Sequence, residues 1–373
     1  MNSSIFSAKQ IAREALPRLM DNLVFPNLIY KDLGDHNSAK KGDTVVIRRP
    51  VKLEAKHFFN DESIAPQSVV EDTVEVKLDT IATVDVEVSA LESACSFDDM
   101  TRLFLEPAAA ALAQQINKDG LAMYAAVANV AGTPGSTPSD LSDFAEASYV
   151  LDSMGVPTEG RCAVWSPRTA CQLKQIPALL HADQCGSSKA LRTGSIGKVF
   201  GVENYMSQAV CRHESGSLSE VTADISVRSI VDNMITLSCD SASGKSVHPG
   251  DILSCACKDG VTRNVVVADD VSFSGNTLSL MLFEIPDLAI LESTVTLIPS
   301  HEANLVFHPH AFAFVSRPLA TPAGVESYVT THNGISLRVV RGYDINRKKD
   351  ILSMDVLYSF MPIYPELAVR YLG

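Results

Sequence analysis

From Thr73 to Val88 the chain alternates polar and apolar side chains over sixteen residues. Val74, Val76, Leu78, Thr80, Ala82, Val84, Val86 and Val88 hold the even positions. Thr73, Glu75, Lys77, Asp79, Thr83, Asp85 and Glu87 hold the odd ones, with Ile81 the one exception. Period two predicts a strand with one dry and one wet face. A single strand of that length reaches roughly 50 Å, about three times the usual span. No ordinary core buries such a ribbon from end to end, so the pattern predicts an arm that leaves its own domain and is covered by a neighbour. A short strand over 44–50, after the Gly42-Asp43 turn, pairs with it in this reading to make an extended two-stranded loop over 43–88.

Helical periods flank this loop. Residues 5–30 read as an amphipathic helix broken by Pro17, with an extended tail through Pro26. Leu105, Ala109, Leu112, Ile116, Gly120, Met123 and Val127 recur at steps of three and four. They predict a helix of about 24 residues, near 36 Å long. Ser96 and Asp99 resemble its N-terminal cap, Pro107 suits its first turn, and the Gly- and Pro-rich stretch 132–138 ends it. Further helices are expected over 140–153 and 167–180, with a short buried strand at 161–165. From 222 to 300 the pattern changes to short strands at 224–231, 234–239, 251–257, 261–267, 277–284 and 293–298, separated by glycine turns. Six strands at this spacing predict a small closed β barrel. Strands return near 335–345 and 351–360. The organisation expected is an α+β chain in which a β domain interrupts an α/β domain at an exposed loop.

Charge sharpens the picture. The 373 residues carry a net charge of −13, with 46% apolar side chains. An acidic chain is poorly suited to coating nucleic acid, which needs clustered Lys and Arg. Residues 1–60 carry 10 basic and 6 acidic side chains, whereas 61–106 carry 2 basic and 12 acidic. Contacts between copies and plain solvated surfaces both fit this asymmetry. Arg48, Arg49 and Lys52 on one side of the loop, and Glu71, Asp72, Asp79 and Asp85 on the other, are the candidates for contact between subunits. The eight cysteines follow no recognisable leader segment and no stretch has the length of a membrane span, so reduced, buried thiols are expected.

Two stretches, Gly194-Ser-Ile-Gly-Lys-Val-Phe-Gly-Val-Glu-Asn-Tyr-Met-Ser207 and Asn304-Leu-Val-Phe-His-Pro-His-Ala-Phe-Ala-Phe314, together with an ending that runs from Asp355-Val-Leu-Tyr to Pro365-Glu-Leu-Ala-Val-Arg370, resemble the major capsid proteins of tailed bacteriophages. The order of elements resembles the Hong Kong-phage capsid fold over nearly the whole chain, and 222–300 resembles the insertion domain of short-tailed-phage coat proteins. The resemblance implies an N-terminal arm (1–42), an extended loop (43–90) and a peripheral domain with a spine helix (91–134 and 335–373). It also implies an axial α/β domain (135–221 and 301–334) and the inserted barrel (222–300). It implies a structural subunit that forms pentamers and hexamers of an icosahedral shell around double-stranded DNA, assembled in the host cytoplasm. A scaffolding protein, a portal and a decoration protein are the partners implied, with no sequence-specific grip on DNA and no membrane. An encapsulin-type compartment and a cytosolic hydrolase are the alternatives.

Candidate chemistry adds little. Ser241-Ala-Ser-Gly-Lys-Ser246 lacks the first glycine of a phosphate-binding loop, since position 239 is Cys. Gly194, Gly197 and Gly201 have the wrong spacing for a dinucleotide loop and read as tight turns. Cys255 with Cys257, and His308 with His310, lie in different expected domains and are spaced too closely for a usual zinc site. Cys162 or Cys171 with His181 lacks a third orienting residue. No catalytic residue, cofactor or metal is expected.

Overall fold

The computed structural model describes residues 7–31, 42–48, 73–88, 101–180, 194–221, 224–239, 242, 244–273, 275–284, 287–344 and 349–373. These fall into two compact units. One draws on Met1–Asn22, Lys31–Leu112 and Ala313–Ile363, the other on Leu23–Tyr30, Ala113–Phe312 and Tyr364–Gly373.

The first unit is organised by one long strand, Lys349–Pro362. One edge pairs antiparallel with Ile335–Asp344, from Arg338 opposite Asp355 to Asp344 opposite Lys349. The other edge pairs with Thr80–Val88, from Tyr358 opposite Thr80 to Asp350 opposite Val88. Glu326–His332 extends the sheet beyond Ile335–Asp344. Helix Ala8–Asn22 packs on the strands Glu326–His332 and Ile335–Asp344. Its buried residues Ala8, Ile11, Ala12, Ala15, Leu16 and Leu19 repeat at helical steps. The helix runs through Pro17, which corrects the break expected there. An interior proline costs about 3 kcal/mol. Burying Ile11, Leu16 and Leu19 returns roughly 1.5–3 kcal/mol each, enough to hold the helix together. Pro26 is likewise helical, in the short turn Phe25–Leu28, rather than in an extended tail.

The alternating ribbon departs most from expectation. It is two strands, Thr73–Lys77 and Thr80–Val88, interrupted at Leu78-Asp79. Thr73–Lys77 forms the expected two-stranded loop with Thr44–Arg48, in register from Arg48 opposite Thr73 to Thr44 opposite Lys77. At the interruption the backbone turns its hydrogen bonds to Gly42 and Asp43. Val74, Val76, Leu78 and Ala82 are at most 7% exposed in a single copy. The stripe is therefore dried to a large extent by its own chain, which corrects the reading of an arm that stays wet until a neighbour covers it. Alternation reports that one face is dry and carries no information on which surface dries it.

The helical run lasts from Thr101 to Ala126. It opens with a π turn, Thr101–Leu105, continues as the α-helix Glu106–Leu121 and closes with the 3₁₀ turn Ala122–Ala126. All seven residues of the expected apolar face are buried. Pro107 is the second residue of the α-helical segment, directly after the π turn. Ser96 and Asp99 lie outside the described residues.

The second unit holds a mixed seven-stranded sheet. Its main path is Val130–Ala131, Ala368–Leu372, His301–Phe307, Cys162–Trp165, Val202–Met206 and Lys198–Val199, and Arg212–His213 pairs with the start of His301–Phe307. Phe144, Leu151, Trp165, Leu173, Val306, Val369 and Tyr371 fill its core. Leu141–Ser153 starts in a capping box between Asp140 and Asp143. The helix expected over 167–180 is instead two, Pro167–Leu173 and Pro177–Leu180. Pro177 restricts the residue before it and lacks the N–H that a continuous helix needs.

All six strands expected between 222 and 300 are present. They run in the order Thr262–Val266, Ile252–Ala256, Thr294–Leu297, Ile225–Val231, Met234–Ser238 and Thr277–Met281. The ends of this path meet through the bridge between Val267 and Leu282, where Ala268 N donates to Met281 O at 2.8 Å. The sheet is thus closed into a barrel around Ile235, Leu237, Leu253, Cys255, Leu278, Leu280 and Val295.

Candidate functional site

Of the seven contact candidates, the backbone of Arg48, together with Asp79 and Asp85, falls within the described residues, and Arg49, Lys52, Glu71 and Asp72 lie outside them. Arg48 ends its strand opposite Thr73. Asp79 sits at the other end of the loop, in the interruption, exposed and accepting from Thr80 Oγ1 at 3.2 Å. Asp85 lies opposite Ser353 in the body sheet and accepts from Thr83 Oγ1 at 3.4 Å. Of the acidic candidates in the described residues, Asp79 therefore lies between the two strands and Asp85 within the body sheet.

The ion pairs that the chain does form here join strands of the same sheet. Arg338 donates twice to Asp355 Oδ2, at 2.9 and 2.6 Å, and also to the Ala320 carbonyl. Arg341 pairs with Asp350 at 2.9 Å, and Lys349 with Glu87 at 2.6 Å. The Arg338–Asp355 pair is well shielded, with the Asp355 side chain 6% exposed.

A buried polar cluster in the second unit carries no local sequence signal. The chain enters the barrel through Arg212–His213 and leaves it into His301–Phe307, and His213 and His301 lie directly opposite one another. Their ring centroids are 5.3 Å apart. The Asp251 carboxylate, fully buried, accepts from His213 Nε2 at 2.8 Å, from Gly216 N at 3.1 Å and from His248 N at 2.7 Å. On the other side of the His213 ring, Nδ1 and the Tyr124 hydroxyl are hydrogen-bonded at 3.1 Å, with the donor set by the tautomer. Arg370, from the last strand, donates to Gly250 O at 2.8 Å and to Tyr124 O at 2.5 Å, and lies 4.8 Å from the Tyr124 ring centre. His301 donates from Nδ1 to Pro299 O at 2.8 Å. Its Nε2, like Nε of Arg370, is buried with no hydrogen-bond partner among the described residues.

Burial governs the acid–base character of this cluster. It pulls His301 down to about 4, with Arg370 and His213 adding to the effect. It pulls Arg370 down to about 9, so the guanidinium stays charged at neutral pH. It pushes the Tyr124 phenol up. The neutral imidazole of His301 and the charged guanidinium of Arg370 thus share one buried site. Asp251, Gly250 and Gly216 belong to turns whose approach is close. A Cβ on Gly216 would lie 2.2 Å from Ser246 O, and one on Gly250 would lie 3.0 Å from Ala125 Cβ.

The other chemistries weighed from sequence resolve into structure. Gly244 is a left-handed turn residue, and the strand Ser246–Val247 follows it rather than a helix. Gly194, Gly197 and Gly201 all have positive φ, as tight turns need. Cys255 and Cys257 are in the barrel core, while His308 and His310 lie at a 3₁₀ turn. Burial pushes the Cys162 thiol up to about 11, the reverse of nucleophile activation. Cys171 is exposed, and His181 lies outside the described residues. Among the described residues no helix is long and apolar enough to cross a membrane.

Residues 4–241 match the family described as P22 coat protein, gene protein 5. A comparison with curated protein sequences gives no match. Among solved structures, a chain from Mycobacterium phage Che8 is 17% identical with a TM-score of 0.50, the match covering 94% of this chain and 90% of that one. A chain from the capsid of cyanophage P-SCSP1u is 13% identical over 94% of this chain and 88% of that one, with a TM-score of 0.48. A chain from the virus-like particle of Pyrococcus furiosus is 8% identical over 97% of both, with a TM-score of 0.41. The likeness to the Che8 chain shows that the two chains share a fold.

Proposed function

Because this chain belongs to the P22 coat protein family and is a structural coat protein, we propose that its copies assemble as pentamers and hexamers into the icosahedral head of a tailed bacteriophage, around double-stranded DNA. The family match over 4–241 carries this reading and weighs against the encapsulin-type and hydrolase alternatives. A shell of this kind needs head-to-tail contacts that close into rings, so each copy must offer two different faces. The loop formed by Thr44–Arg48 and Thr73–Lys77 is one such face in this proposal, with its basic and acidic residues touching different neighbours. Arg48, Arg49 and Lys52 are the proposed cationic contacts, and Glu71, Asp72, Asp79 and, from the adjoining strand Thr80–Val88, Asp85 the anionic ones.

The functional division we propose is an arm (1–42), a loop (43–90), a peripheral domain (91–134 and 335–373), an axial domain (135–221 and 301–334) and an inserted barrel (222–300). A scaffolding protein, a portal and a decoration protein are the further partners of the proposal, with assembly in the host cytoplasm. Packaged DNA is enclosed without sequence-specific contact, in keeping with a net charge of −13. No catalytic role is proposed. Co-expression with a scaffolding partner, followed by electron microscopy, tests the reading. The wild-type chain is expected to give closed shells and the double variant Arg48→Glu, Arg49→Glu to give none. Normal shells from that variant would remove these arginines from the contact.

A further inference from the structure

The two strands at the neck of the inserted barrel place an imidazole pair between a carboxylate of the barrel and a guanidinium of the last strand. We propose that this neck is an acid-released latch: protonating His301 unfastens the barrel from the sheet beneath it and leaves the barrel itself folded.

The groups facing the pair come from every element packed against it. The barrel turn supplies Asp251, which among the described residues is the carboxylate hydrogen-bonded to the pair, at His213. The 3₁₀ turn after the long helix supplies Tyr124, and the last strand supplies Arg370. Cys211 lies two residues before His213 and is itself influenced by Lys118 and Asp119. The side chain of Glu302, next to His301, is engaged with Ser166, and Arg212 is exposed. Asp251 already accepts three donors, from His213, Gly216 and His248. A proton added to Nε2 of His301 therefore finds no acceptor among the described residues and sets a second positive charge near Arg370. The barrel core packs apolar side chains such as Ile235, Leu237, Leu278 and Leu280 away from the imidazole pair, so its strands are expected to stay closed when the neck opens.

The depressed folded value of His301, about 4 against 6.5 for a free imidazole, fixes the direction. The closed neck is fully favoured above pH 6.5, and its advantage is lost as pH falls from there toward 4. With the opened neck titrating as a free imidazole, the open fraction rises roughly a hundredfold between pH 7.5 and pH 4.

Amide hydrogen exchange on the full-length unassembled chain, followed by mass spectrometry and corrected for intrinsic rates, tests this. Between pH 7.5 and pH 4 the opening of 211–216, 299–303 and 368–372 is expected to rise roughly a hundredfold, with 234–238 and 277–281 unchanged. A rise below tenfold at the neck, or an equal rise in the barrel strands, overturns the latch. The variant His301→Asn keeps a donor for Pro299 O and removes the protonation site. It is expected to lose the acid response, and a full response in it also overturns the proposal. Should that variant fail to fold, histidine C2-proton exchange on the unaltered chain decides. A His301 midpoint well below that of a free imidazole supports the latch, and a midpoint near 6.5 overturns it.

Discussion

Truncating the alternating ribbon separates two accounts of what keeps it dry. Leu78 is fully buried in a single copy, and its backbone N–H and C=O are tied to Asp43 and Gly42. Leu78→Ala removes buried methyl groups and leaves a cavity, for a loss of about 3 kcal/mol. Val76, at 2% exposure, loses two methyl groups in Val76→Ala, for about 2 kcal/mol. Thr83 points to solvent from the same segment, and Thr83→Ala should stay within about 0.5 kcal/mol. Urea denaturation of the unassembled chain measures all three, and the order expected is Leu78→Ala, Val76→Ala, then Thr83→Ala. If the ribbon were covered only by a neighbouring copy, the two core variants would leave the lone chain unchanged and harm assembly alone. A Leu78→Ala loss below about 1 kcal/mol would refute the reasoning from burial.

Three further outcomes follow from single sites. Gly216→Ala sets a Cβ against the backbone of Ser246 and Val247, at 2.2 and 2.7 Å, and should destabilise the chain by about 3 kcal/mol in the same assay. Asp355→Ala strands the Arg338 guanidinium and should cost about 3 kcal/mol, whereas Glu87→Ala, on the more open pair with Lys349, should cost less than about 1 kcal/mol. Alkylation of the folded chain at pH 8, read by peptide mass spectrometry, should modify exposed Cys171 and spare Cys162 and Cys255, whose thiols burial pushes up to about 11.

Where a residue pattern repeats, the sequence was a good guide. The helical face from Leu105 to Val127 is legible because seven residues at steps of three and four must share one side of a helix. The six barrel strands are legible because turns such as Pro249-Gly250 and Asp259-Gly260 punctuate them, and Gly250 and Gly260 both have positive φ. Pro17 misleads because a local rule predicts a break, and the packing of Ile11, Leu16 and Leu19 overrides it. The ribbon misleads for another reason: its period identifies a dry face, whereas its pairing with Thr44–Arg48 in one half and Lys349–Pro362 in the other is set by tertiary structure. The neck cluster leaves no trace at all. His213 and Asp251 stand 38 residues apart and Tyr124 and Arg370 246 apart, and single polar residues at such separations make no pattern.

The family match rests on the amino-acid sequence and the fold on one chain, so self-assembly is the property that tests the account most directly. Negative-stain electron microscopy of the purified chain, produced with and without a scaffolding partner, reads it in one image. Closed, uniform shells in the presence of the partner are the predicted result. A chain that stays a monomer or a small discrete oligomer under both conditions would contradict the coat-protein account.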